Sequence, residues 1–79
     1  MLVELADDQS ERNVVEALRA LELAGHASSK AAALLCVGLL DEALIEANQL
    51  PLASSQLIPN PVIVARAEIR NAIRYRRLT

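Results

Sequence analysis

Apolar residues recur at helical spacing in three stretches of the chain, and these stretches set the expected architecture. In the first, Val14, Leu18 and Leu21 follow one another at intervals of four and three, and Ala17 and Ala24 widen the stripe. Arg12, Glu16, Arg19 and Glu22 take the opposite side, as an amphipathic surface helix requires. Asp8-Gln9-Ser10-Glu11 fits a capping box, in which Asp8 accepts a free backbone N–H and Glu11 reaches back. The pattern predicts a helix over about 9–24, ended by Gly25, which takes positive φ without a Cβ clash. Leu2, Val3 and Leu5 before it fit either an extended arm or a first helical turn.

The second stretch differs in kind. Ala31 to Leu40 holds no charged residue and runs on into Asp41-Glu42-Ala43-Leu44-Ile45-Glu46-Ala47-Asn48. A helix apolar all round has no face for water, so it must be buried or partnered. Ser28 or Ser29 is its cap, and the predicted helix covers about 30–48. The short Ala27-Ser28-Ser29 link makes it an antiparallel neighbour of the first helix. Gly38 in its middle costs about 1 kcal/mol relative to alanine. Close approach of another helix backbone would account for that glycine.

Residues 49–60 form an apolar loop in which Leu50, Leu52, Leu57 and Ile58 are interleaved with Pro51, Ser54, Ser55 and Pro59, and it reads as a strap over the core. Asn60-Pro61 then opens a third helix over about 61–77, with asparagine as N-cap and proline at the first helical position. Val62, Ala65, Ile69, Ala72 and Ile73 fall on its core-facing arc.

Composition changes the picture by limiting the core. The chain has 79 residues, 53% of them hydrophobic, yet only one Tyr and neither Phe nor Trp. A domain this small buries about 60% of its unfolded surface, so it needs a supplement to its core. Its lone cysteine, Cys36, excludes an intrachain disulfide, and nothing has metal-ligand spacing. Self-association remains, and the expected interface centres on Leu35, Cys36, Gly38 and Leu39. The fold class expected for residues 1–79 is thus a single all-α domain of three helices, forming a dimer or higher oligomer. No apolar run approaches the roughly 20 residues of a membrane span, and the acidic start lacks the features of a signal peptide. A soluble, cytoplasmic protein is expected.

Charge is unevenly placed. Residues 1–60 hold nine acidic and three basic side chains, a balance of −6, whereas residues 61–79 hold five Arg and one Glu, a balance of +4. Arg66, Arg70, Arg74 and Arg77, at spacings of four, four and three, form one stripe on the third helix, with Arg76 off the line. Guanidiniums bind phosphates and carboxylates alike through a planar fork of donors. Asp41, Glu42 and Glu46 oppose the dipole of the second half of helix two, so Glu42 or Glu46 is expected to pair with Arg66, Arg70 or Arg74, within one chain or across a dimer.

Catalytic chemistry is weakly represented. Glu42 and Glu46 share a helix face, but no Glu-x-x-His accompanies them as in helical metal sites. Cys36 lies in the most apolar stretch, where a thiol is a packing group rather than a nucleophile. His26 follows the helix-one cap and reads as a capping or surface residue. No enzyme, cofactor or metal is therefore expected. The expectation is a non-enzymatic interaction module, a regulator, inhibitor or adaptor, whose partners are itself and another protein. Binding of nucleic acid or nucleotide phosphates through the arginine stripe comes second. The two-proline connection before the last helix is longer than a helix-turn-helix turn, and the pI of about 5.2 opposes long-range attraction to DNA.

Overall fold

The computed structural model describes residues 2–54 and 58–77, and its elements are all helical: α1 (Leu2–Leu23), α2 (Lys30–Cys36), α3 (Leu40–Gln49) and α4 (Pro61–Arg77). Four helices replace the three expected, because the long second helix is broken at Gly38. There φ is +84°, a conformation that suits glycine and that no helix interior contains. Gly38 N–H donates to Leu35 O at 3.1 Å and Leu39 N–H to Leu34 O at 3.0 Å. This is the paired bonding of a Schellman terminus. The same pattern ends α1 at Gly25 (φ +81°), with Gly25 N–H to Glu22 O and His26 N–H to Leu21 O. Both glycines are therefore stops, and close helix approach does not explain Gly38.

The break reverses one electrostatic expectation. Asp41 and Glu42 lie in the first turn of α3, where the dipole favours carboxylates, rather than late in a long helix where it opposes them. A second correction concerns α1. It begins at Leu2, so Asp8 sits inside the helix and the Asp8–Glu11 capping box does not exist. The α2 cap is Ser29, whose Oγ accepts from Ala32 N–H at 3.3 Å.

α1 packs chiefly on α4 and touches α2, its neighbour across the short link, far less extensively. Ser10 Oγ donates to Ala72 O at 2.8 Å, and Asn13 Nδ2 donates to Glu68 Oε2 at 2.9 Å. Rising along α1 therefore means descending along α4, so the pair is antiparallel. Ser10 and Asn13 are buried on the same face as Ala17 and Leu21, and these bonds remove the cost of taking them there. α3 also lies on α4, and α2 packs on α3.

Among the residues whose burial is described, eight of the thirteen buried apolar ones are alanine, and the largest fully buried side chains are Leu21, Leu35, Ile69 and Val62. The helix-four arc matches expectation, with Val62, Ala65, Ile69 and Ala72 buried and Ile73 packed against the core. The run from Ala31 to Leu40 is less enclosed than expected. Ala31, Ala32, Leu35 and Leu40 are buried, while Cys36, Val37 and Leu39 are exposed. Leu50 packs on the core, but Leu52 and Ile58 are exposed, so the loop covers little of it; Leu57 lies outside the described residues. No helix among the described residues is long and apolar enough to cross a membrane.

The Gly38 stop has a test whose sign is diagnostic. In a continuous helix, Gly38→Ala would stabilise the protein by about 1 kcal/mol. At positive φ it destabilises by about 1–2 kcal/mol, from backbone strain, since the added Cβ would meet only Arg76 Nη2, at 3.7 Å. Urea unfolding of the variant and the parent distinguishes the two.

Candidate functional site

The arginines of α4 fall into two groups by what they touch. Asn60 sets the helix: its Oδ1 accepts from Val62 N–H at 3.0 Å as N-cap, and its Nδ2 donates to Ala53 O at 2.9 Å, tying the loop to the helix start. Nearly two turns on, half-buried Arg66 turns toward the C-terminus of α3. Its Nε donates to Ala47 O at 3.1 Å, and its Nη2 to Leu50 O at 2.9 Å and Asn48 O at 3.4 Å. The Ala47 and Asn48 carbonyls belong to the last turn of α3, Ala47 O also accepting from Leu50 N–H at 3.3 Å, and the cation suits the negative end of the dipole there. At the far end of α4, Arg76 Nη1 donates to Gly38 O at 2.6 Å, in the turn between α2 and α3.

The remaining three face outward. Arg77 lies 3.7 Å from Asp41, both largely exposed, a geometry worth little. Arg70 and Arg74 are exposed and have no hydrogen bond or ion pair among the described residues. No ion pair among the described residues joins Glu42 or Glu46 to Arg66, Arg70 or Arg74. Glu46 lies 3.7 Å from Lys30 instead. Within one chain the expected pairing does not form: Glu42 lies in the first turn of α3, where the dipole favours it, and Arg66 bonds carbonyls at the end of that helix instead.

Of the stripe, then, Arg66 belongs to the fold, while Arg70, Arg74 and Arg77 share an outer line that begins at Ile63, 46% exposed. Four residues at about 1.5 Å rise each put Arg70 and Arg74 roughly 6 Å apart along the axis. Two permanent cations at that spacing can each present a fork to carboxylates on a facing surface. Catalysis has less to work with. Cys36 is exposed, unlike the buried packing thiol expected, and His26 lies in the α1–α2 connection. Among the described residues, no three His, Cys, Asp or Glu side chains gather as a metal site.

The four residues proposed as an oligomer contact also divide. Leu35, 2% exposed, is inside this chain's own core, so it offers no surface to a partner; Cys36 and Leu39 are exposed and Gly38 is half-exposed. Arg76 was passed over by spacing alone, since its contact exists only because Gly38 opens the backbone toward it. The signal was available in Gly38-Leu39-Leu40-Asp41-Glu42, a helix stop followed by an acidic first turn.

The division predicts unequal responses. Arg66→Ala removes bonds to three carbonyls and lowers stability by about 1.5–3 kcal/mol, whereas Arg70→Ala stays within about 0.5 kcal/mol of the parent. Chemical denaturation of both variants, read by circular dichroism, checks this.

No protein-family model, curated protein or solved structure matches the chain, so its function is argued from this surface.

Proposed function

We propose that this protein is a small non-enzymatic interaction module that works as a homo-oligomer and docks an acidic protein surface through Arg70 and Arg74. The observation that carries the reading is the contrast within one helix. Arg66 and Arg76 are bonded to backbone carbonyls of the fold, while Arg70 and Arg74 stand exposed with no partner among the described residues. Exposed charges of this kind set specificity and association rate.

A carboxylate-bearing partner suits them better than a polyanion. Asp8, Glu11, Glu16 and Glu22 are all exposed on α1, which packs beside α4. The whole chain carries a formal charge of −2. A nucleic acid, with a phosphate every few ångströms, would meet those carboxylates along with the arginines. A protein surface can confine its acidic groups to the stripe.

Fluorescence anisotropy separates the two. Glu/Asp-rich helical peptides are expected to bind the parent protein and to bind Arg70→Glu/Arg74→Glu at least tenfold more weakly, about 1.4 kcal/mol. A labelled DNA duplex is expected not to bind at low salt. Duplex binding that falls steeply with salt and disappears in the same variant would replace this reading with phosphate recognition.

A further inference from the structure

An acidic helix and a basic one lie side by side in this molecule. α3 carries Asp41, Glu42 and Glu46 and no cation of its own. α4 presents Arg70, Arg74 and Arg77, all exposed. The two helices run antiparallel, because Arg66 bonds the end of α3 while Arg77 lies 3.7 Å from Asp41 at its start. Leu34 and Ile45 line a groove between α2 and α3, together with Glu42, Glu46 and Lys30. Ile45 is 58% exposed there. Glu42, like Arg70 and Arg74, is exposed and has no hydrogen bond or ion pair among the described residues.

We infer that the acidic surface taken by Arg70 and Arg74 is α3 of a second copy, an inference resting on that reading of the two arginines. Glu42 of one copy stands against Arg74 of the other, and Glu46 against Arg70. The spacing matches. At about 1.5 Å rise per residue, Glu42 and Glu46 are roughly 6 Å apart along their helix, as are Arg70 and Arg74. Counted from the level of the Asp41–Arg77 contact, Glu42 and Arg74 lie about 1.5 and 4.5 Å along, and Glu46 and Arg70 about 7.5 and 10.5 Å. Both pairs are thus offset by the same distance of about 3 Å, which an arginine side chain spans. A two-fold axis parallel to the helices keeps these levels while bringing α4 of each copy over α3 of the other. Each pair then forms twice, as an isologous contact requires. Ile45 falls between the pairs, where the methylene stems of Arg70 and Arg74 cover it.

The carboxylates of α1 are a poorer match. Arg12 and Arg19 are exposed among them, and Arg19 already lies 2.8 Å from Glu16. In the groove beside α3 the competing cation is Lys30, 3.7 Å from Glu46 and largely exposed, so it can turn aside. Exposed ion pairs are individually weak. The contact therefore forms at high micromolar concentration, and the dilute chain is a monomer with Arg70 and Arg74 free.

Sedimentation velocity of the full chain, from low to high micromolar concentration, is the test. The parent is expected to pass from 8.5 kDa to twice that mass, and to do so less completely in about 0.5 M salt. Arg70→Glu/Arg74→Glu and Glu42→Arg/Glu46→Arg, each with helical circular dichroism intact, are expected to stay monomeric alone. Mixed in equal amounts, the two are expected to associate, since opposite charges then face each other in both halves of the contact. A parent that stays monomeric, a dimer that survives either reversal, or a mixture that stays monomeric overturns the inference. A monomeric parent that still binds acidic peptides through Arg70 and Arg74 excludes a second copy as the occupant and leaves the acidic-surface reading standing. A monomeric parent that binds no acidic peptide overturns both.

Discussion

Two guanidiniums of α4 hold α3 at its two ends, and the rest of the structure depends on that hold. Arg76 meets the Gly38 carbonyl where α2 gives way to α3, and Arg66 meets three carbonyls where α3 gives way to the loop. Helices of seven and ten residues are too short to persist alone in water. Burial of Ala31, Ala32, Ala43 and Ala47 gives them contact area, but each alanine removes little apolar surface. Charge-assisted bonds to a helix end are among the stronger polar contacts available. They fix where α3 begins and ends on α4, and the small core then packs in one register.

That hold also sorts the arginines. A cation bonded to backbone carbonyls is not free to meet a partner without loosening the fold. Arg66 and Arg76 are committed in this way, and Arg77 is loosely engaged by Asp41. What α4 presents outward is accordingly Ile63, Arg70 and Arg74.

Much of the fold was legible because it rests on local rules. Asn60-Pro61 announces α4, Gly25 ends α1, and the spacing of Val62, Ala65, Ile69 and Ala72 marks a buried face. Gly38 misled because a glycine within an apolar run reads equally as a tolerated residue and as a stop. Only the acidic pair after it tips the balance. Ser10 and Asn13 were illegible as core because polar residues are assigned to water until a partner such as Ala72 O or Glu68 is known. The arginines were legible as a stripe but not as two populations. Periodicity places side chains on a face, whereas the carbonyls that claim Arg66 and Arg76 come from elements far along the chain.

The central claim is that α4 carries structural and free arginines side by side. Nitrogen-15 spectra of the arginine side chains test it most directly, because each Nε–H reports its own exchange with solvent and its own mobility. The account predicts a slowly exchanging, motionally restricted Nε–H for Arg66 and rapidly exchanging, mobile ones for Arg70 and Arg74. Indistinguishable exchange and mobility across the three would contradict it.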